Sequence, residues 1–234
     1  MIEVSIEDRV SRVVINRPEM GNAFTGQMSQ HLLDAVTEAA AKADIVTISA
    51  VGKDFTIGRD RNEPNRTAPV SFYDTFRVIS DLNKAITTFP GLVITASRGR
   101  TFGFAVGMLM RADMAIVGDD SKFVLDEVKH GFPPTFIMEE ILQHLPFKRA
   151  LDLVVSGRSW GADEALDIGL VSRVVPSDAL DKHLSELVGD LKQRDRRALL
   201  ACKHYMRKVA ALPAEARNAY ALVETVRYFE SMKR

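Results

Sequence analysis

The acidic pair Asp126-Glu127, downstream of a glycine-led apolar segment, is the place where this sequence is best equipped for chemistry. Gly99, Gly103 and Gly107 punctuate the start of that segment, whose apolar run predicts a buried helix. A helix that begins at glycine offers backbone N–H groups without acceptors and the positive end of a dipole, so its start can hold an oxyanion. A carboxylate in the turn that follows can lie beside that oxyanion and carry a proton.

The elements that must position this site begin with alternating strands and helices. Residues 1–17 show the pattern of two strands joined at Glu7-Asp8 as a hairpin, and Thr25 is placed to cap the next helix. Runs rich in apolar and β-branched residues predict three further buried strands, at Asp44–Val51, Gly91–Ser97 and Ala112–Val117. This order favours βαβ units and a mainly parallel sheet.

Two further features complete the prediction of secondary structure. Ser71 and Asp74 form a capping-box pattern, which predicts a helix with an inward face of Phe72, Phe76, Ile79, Leu82 and Ile86. After Pro134 the spacing predicts helices, with one short strand at Val171–Val175. Because no linker or repeat divides the chain, we predict a single domain over 1–234, with an α/β core in 1–134 and a helical region in 135–234.

Composition excludes several classes of protein. The 234 residues are 46% hydrophobic and 26% charged, and Lys+Arg and Asp+Glu both number 31, so neither nucleic acid nor an acidic membrane surface is favoured as a partner. The one cysteine, Cys202, excludes an intrachain disulfide framework. No apolar run approaches the ~20 residues of a membrane span and no signal-peptide pattern is present, so we expect a cytoplasmic protein.

Four segments resemble motifs of the crotonase, or enoyl-CoA hydratase/isomerase, superfamily, and they occur in that family's order. They are INRPEMGNAF (15–24), GKDFTIGRD (52–60), ADMAIVGDDSKFVLDEVKHGFPP (112–134) and ALDLVVSGRSWGADEALDIGLVSRVVP (150–176). One such match is a weak signal, whereas four in order over nearly the whole chain favour the family strongly.

The resemblance implies an α/β fold with a spiral core of ββα repeats and a helical C-terminal region, 135–234, that forms trimers or hexamers. It implies an acyl-CoA thioester as the substrate, with CoA as part of the substrate and no separate cofactor or metal. By position, the family's oxyanion hole falls on the backbone N–H groups of Arg59 and Phe104. Its substrate-binding residues fall on Phe55, Ile57, Arg59, Asp60, Arg61, Asn62 and Phe104, and the two arginines are also suited to CoA phosphates.

The chain departs from the family pattern at two positions. Family hydratases carry two glutamates, of which the first falls here on Gly107 and the second is retained as Glu127. Asp126 replaces the family's proline, and we expect it to be a surface acid that points away from the site. Apolar neighbours at Phe123–Leu125 and Phe132 are expected to raise the pKa of Glu127 by desolvation.

We therefore predict an enoyl-CoA isomerase or hydratase in which Glu127 is the acid/base, because one carboxylate can move a proton between two carbons. Isomerisation is slightly favoured over hydration, which is easier with two carboxylates. A CoA-thioester-binding protein without catalysis is the alternative from another class. A serine hydrolase is disfavoured, because the chain has no G-x-S-x-G elbow.

Overall fold

The structure, a computed structural model, describes residues 1–63 and 69–232. The strands are β1 Ile2–Glu7, β2 Val10–Ile15, β3 Ile45–Ala50, β4 Leu92–Ser97, β5 Arg100–Phe102, β6 Met114–Gly118, β7 Lys122–Val124, β8 Ser159–Gly161 and β9 Arg173–Val175. The helices are α1 Gly26–Lys42, α2 Pro69–Thr87, α3 Phe104–Arg111, α4 Thr135–His144, α5 Phe147–Ser156, α6 Ala162–Asp167, α7 Leu180–Lys192, α8 Arg196–Ala210 and α9 Ala214–Ser231. Short 3-10 helices cover Pro18–Met20, Glu127–His130 and Ser177–Ala179.

A six-stranded sheet of order β1-β2-β3-β4-β6-β9 forms the centre of the fold. β1 and β2 pair antiparallel as the predicted hairpin, and each later strand joins parallel to its neighbour. β4 is buried at every position and β3 at its first four, which agrees with the apolar, β-branched runs that predicted them. The predicted parallel sheet is therefore confirmed.

A second sheet, of order β5-β7-β8, positions the candidate site. β5 follows β4 and pairs parallel with β7, which follows β6, so successive strands alternate between the two sheets. This arrangement brings the start of α3, immediately after β5, beside the chain that leaves β7: the Gly103 N–H donates to the Val124 carbonyl at 2.9 Å. The sequence analysis missed these three strands, because each is short and its pairing depends on residues distant in the chain.

Two helices test the predicted caps. Thr25 caps α1 as predicted, since its hydroxyl accepts from the Met28 N–H at 3.1 Å. α2 begins at Pro69, which is favoured in a first turn, so the helix starts before the predicted Ser71. The side chain of Ser71, on which the predicted cap depends, lies outside the described residues.

The inward face of α2 is confirmed only in part. Of the predicted residues, Ile79, Leu82 and Ile86 are buried. Phe76 is 38% exposed, contrary to the prediction, because its ring lies under the Arg59 guanidinium and beside Phe136 instead of in the core. The side chain of Phe72 lies outside the described residues.

Contacts divide the chain into two compact units, Met1–Leu187 and Val188–Arg234. The first contains both sheets and the core of buried apolar side chains. Within the second, the rings of Tyr205 on α8 and Tyr220 on α9 stack with centroids 5.7 Å apart. The predicted division at residue 134 and the trimerisation role of 135–234 stay predictions. In the part of the chain that is described, no helix has the length and apolarity of a membrane span.

Candidate active site

Glu127 is a buried carboxylate at the turn that follows β7. It begins a 3-10 helix that ends at Gly131, whose φ of 84° turns the chain away. Only 8% of Glu127 is exposed, and within residues 1–63 and 69–232 no group donates a hydrogen bond to its buried Oε2 atom. No arginine or lysine of the same described residues lies within ion-pair distance of its carboxylate. A buried carboxylate left in this state is poised to accept a proton.

The environment of Glu127 makes it a stronger base than a carboxylate in water. Burial raises the pKa of Glu127, and the negative charge of Asp126 adds to this rise, whereas its own backbone N–H and His130 oppose it. The predicted desolvation is thus present, and Phe123 and Leu125 are buried as expected. Phe132 is not among the burying groups, because the turn after Gly131 leaves it 45% exposed.

The start of α3 lies against the Glu127 carboxylate. Gly103 precedes the helix with φ 59° and ψ −131°, a conformation open in practice only to glycine. A Cβ atom on Gly103 would lie 3.0 Å from Glu127 Oε1, so the glycine also lets the carboxylate lie close to the start of α3. Phe104, the first helical residue, has an N–H with no intrahelical acceptor, and its ring packs edge-on against Phe24 with centroids 5.1 Å apart.

The loop after β3 contains Arg59, the second predicted oxyanion donor, and runs beside the start of α3. Thr56 forms a parallel bridge with Thr101 on β5, and the Phe102 N–H donates to the Thr56 carbonyl at 3.1 Å. This parallel course takes the loop alongside the residues that lead into α3. The bonds Phe24 N–H to Gly58 O, 2.9 Å, and Asp60 N–H to Phe24 O, 2.8 Å, turn the Arg59 N–H away from Phe24. The two predicted donor residues therefore lie on adjacent parallel segments.

Two ion pairs, each between a buried carboxylate and a partly exposed arginine, hold this loop. Asp60 accepts from the Arg17 guanidinium at 2.8 Å and from the Asn62 N–H at 2.9 Å. Asp54 forms a two-pronged pair with Arg100, with bonds of 2.9 and 2.7 Å, and this hydrogen bonding lowers the pKa of Asp54 despite burial. The loop is thereby a rigid support for whatever its backbone binds.

Asn22 adds a third tie to the loop, because its side-chain amide donates to the Val51 and Asp54 carbonyls at 2.9 and 2.7 Å. The sequence analysis included Arg17 and Asn22 in a motif but predicted no role for them. The feature that could have indicated one is a pair of polar residues flanking a proline turn between two apolar segments.

The predicted substrate-binding residues separate into two groups. Phe55 is fully buried in the core, and Asp60 is committed to Arg17, so their side chains support the loop instead of facing a ligand. Ile57 is partly exposed and lies over the turn at Gly21, where a Cβ atom would be 3.1 Å from its Cγ2 atom.

The remaining loop residues lie at the surface of the site. The Arg59 guanidinium lies 3.9 Å from Glu63, and Asn62 is exposed. The Arg61 side chain is 61% exposed and contacts both Asp126, at 3.3 Å, and His130. His130 in turn lies 2.9 Å from Asp126. Asp126 is therefore a partly exposed acid at the surface, and its pairs with Arg61 and His130 tie the loop to the Glu127 turn. That it points away from the bound substrate stays a prediction.

Comparison with solved structures identifies the fold. A candidate enoyl-CoA hydratase from Thermobifida fusca, crystallised with acetoacetyl-CoA, superposes with a TM-score of 0.86 at 21% identity, covering 98% of this chain and 95% of that one. The predicted crotonase fold is thus confirmed.

The sequence comparisons then identify the family. The model of the Enoyl-CoA hydratase/isomerase family matches residues 5–233, and the chain belongs to this family. The probable enoyl-CoA hydratase echA8 of Mycobacterium bovis is 34% identical over 185 residues, which are 76% of this chain and 70% of that protein. The trans-2-decenoyl-[acyl-carrier-protein] isomerase of Streptococcus mutans is 28% identical over 200 residues, 81% of this chain and 74% of that protein. The relatives thus include both hydratases and isomerases.

Proposed function

We propose that this protein is an enoyl-CoA isomerase that moves the double bond of a 3-enoyl thioester to the 2 position, with Glu127 as its single acid/base. The observation that carries the proposal is the state of Glu127: a buried carboxylate without an arginine or lysine partner in the described chain, in contact with Gly103 at the start of α3. Such a group can both accept and return a proton.

The mechanism uses the backbone for charge and Glu127 for proton transfer. The thioester oxygen accepts hydrogen bonds from the N–H groups of Arg59 and Phe104. Glu127 removes a proton from the α-carbon, the electron pair moves to the thioester oxygen, and the resulting enolate is stabilised by the two donors. Glu127 then returns the proton to the γ-carbon, which leaves the double bond conjugated with the thioester. One oxyanion donor is worth about 2.7–4 kcal/mol of transition-state stabilisation.

The CoA portion is expected to follow the loop from Arg59 to Asn62. Arg61 is the group best placed for a CoA phosphate, since its guanidinium is exposed at the edge of the site. The complex of the Thermobifida fusca neighbour with acetoacetyl-CoA supports a CoA thioester as the ligand. We further propose that no cofactor besides the substrate's CoA takes part, and that the protein acts in the cytoplasm as a homotrimer or hexamer assembled through 135–234.

Hydration of a 2-enoyl-CoA is the second candidate, favoured by the relative of 34% identity that carries the name of a hydratase. The two reactions are distinguished by incubating the protein with a 3-enoyl-CoA and, separately, with a 2-enoyl-CoA, and identifying the products by mass and chromatography. The proposal predicts a conjugated isomer of unchanged mass from the first substrate, and little addition of water to the second. Rapid hydration with no isomerisation would establish the second candidate instead. Tight CoA-thioester binding with neither product would indicate a binding protein.

A further inference from the structure

Arg111 is a buried arginine at the end of α3 that sequence reasoning did not select. Its side chain is only 5% exposed, in a helix whose other residues are apolar or glycine. The signal in the sequence was a lone charge at the end of an apolar run. Burial lowers the pKa of Arg111, and the nearby carboxylates of Glu140 and Glu139 oppose this. Burying an arginine inside an apolar helix is energetically costly, so we expect a role for Arg111.

Helix geometry places Arg111 on the face of α3 that begins at the proposed oxyanion hole. Residues three and seven positions after Phe104 share its face, and these are Gly107 and Arg111. Side chains on a helix lean towards its N-terminus, so Arg111 reaches back over the preceding turn. Its Nη1 atom donates to the Gly107 carbonyl at 3.2 Å, and it would lie 2.9 Å from a Cβ atom on Gly107.

The guanidinium therefore fills the space that a side chain at position 107 would enter. Its other bonds fix it there: Nη2 donates to the Phe136 carbonyl at 2.6 Å, and Nε lies 3.3 Å from Glu140. Glu140 is itself only 14% exposed and also lies 3.2 Å from the His144 ring, so it is committed to this cluster.

The chemistry of this arrangement bears on the reaction. Adding water to a double bond is easier when one group accepts a proton from the water and another manages the α-proton. A guanidinium has five donors, no acceptor and a proton that it does not release, so it cannot activate water. An acid introduced at position 107 would meet this cation first and pair with it.

We propose that Arg111 is a specificity-determining residue that keeps the site to a single base. By occupying the space beside Gly107 and neutralising any acid placed there, it disfavours hydration and leaves proton transfer by Glu127 as the available chemistry. This inference rests on the proposed function and names the residue that restricts the reaction. An acid at position 107 alone is therefore not expected to create a hydratase, because Arg111 must be removed as well.

The test compares Gly107→Glu alone with Gly107→Glu combined with Arg111→Met and Glu140→Gln, so that no charged partner is left buried alone. Gly107→Gln in both backgrounds is the matched control, since it has the size of the acid without a base. The readout is the rate of 2-enoyl-CoA hydration divided by the rate of 3-enoyl-CoA isomerisation, which a general loss of stability would not change. The ratio should stay within about twofold of the parent value for Gly107→Glu alone and rise about tenfold or more for the triple variant only.

Two results would overturn the inference: an equal gain for Gly107→Glu in the presence of Arg111, or no gain in a triple variant that still isomerises. If the unmodified protein lacks isomerase activity, the proposed function fails and thermal unfolding decides the inference separately. Gly107→Glu should then lower the Tm less with Arg111 present than with Arg111→Met. Equal decreases in the two backgrounds would show that no pairing occurs and would overturn it.

Discussion

The loop after β3 and the Glu127 turn both bury carboxylates, but the surroundings shift the pKa values of these carboxylates in opposite directions. Asp54 and Asp60 in the loop each face a guanidinium, from Arg100 and Arg17, and the pKa of Asp54 is lowered. Glu127, buried to a similar degree, has no such partner among the described residues, and its pKa is raised. Burial alone therefore does not fix the pKa of a carboxylate. A guanidinium partner keeps the group charged, whereas a buried carboxylate without one has a raised pKa.

The largest expected effect on activity comes from removing the proposed base, Glu127. Glu127→Gln keeps the size and polarity of the side chain but cannot accept the α-proton, so kcat should fall by roughly 10²–10⁴. Binding of an acyl-CoA, measured by calorimetry, should be retained because the backbone donors are untouched. Turnover at the parent rate in a folded Glu127→Gln protein would remove Glu127 from the mechanism.

The second-largest effect is expected from removing the arginine partner of a structural carboxylate in the loop. Arg17→Met leaves the Asp60 carboxylate buried without its guanidinium, and the free energy of unfolding should fall by about 2 kcal/mol, between the values for exposed and buried pairs. Affinity for CoA thioesters should fall as well, because Asp60 anchors the loop beside Arg59.

The matched control combines Arg17→Met with Asp60→Asn, which removes both charges together. Denaturant unfolding of the two variants should show that the double replacement recovers part of the loss. If Arg17→Met unfolds at the same denaturant concentration as the parent protein, the pair does not hold the loop.

A smaller effect concerns the pH dependence of stability. Because the folded state raises the pKa of Glu127 above its ordinary value, the folded protein binds this proton more tightly than the unfolded chain does. The stability that the neutral acid contributes is present below the unfolded pKa and is lost as the pH rises through the folded pKa. Glu127→Gln stays neutral, so its stability relative to the parent should be greater at about pH 8 than at about pH 4. A relative stability that is independent of pH would argue that Glu127 is not desolvated.

The smallest effect is expected at Asp126, which lies next to Glu127 but is partly exposed and paired with Arg61. Asp126→Asn should change kcat by no more than about threefold, since a pair of this exposure contributes about 0–1 kcal/mol. It should lower the pKa of Glu127 slightly, because one neighbouring negative charge is lost. If Asp126→Asn abolishes turnover and Glu127→Gln does not, the catalytic acid is Asp126.

The sequence predicted those parts of the molecule that repeat a pattern over many residues. The long strands, the Thr25 cap and most helices after Pro134 could be read from hydrophobic periods and turn residues. The short strands β5, β7 and β8 could not, because their pairing depends on residues distant in the chain. The same limit hid Arg111, whose role depends on Phe136 and Glu140 in a later helix.

The candidate site shows this limit residue by residue. Glu127 was found from a local motif, and its burial agrees with the apolar residues on one side of it. The inward positions of Phe55 and Asp60 could not be foreseen, because loop composition does not reveal which side chains turn towards the core. The pairing of Asp126 with Arg61 could not be foreseen either, since the two residues are distant in sequence.

The most direct test of the account is the structure of the protein with a bound, unreactive acyl-CoA analogue. The account predicts the thioester oxygen about 2.7–3.1 Å from the N atoms of both Arg59 and Phe104. It also predicts a Glu127 carboxylate oxygen about 3–3.5 Å from the α-carbon, with no other carboxylate facing the acyl chain. A thioester oxygen bound away from these two N–H groups, or an α-carbon that faces Asp126 or solvent instead of Glu127, would contradict it.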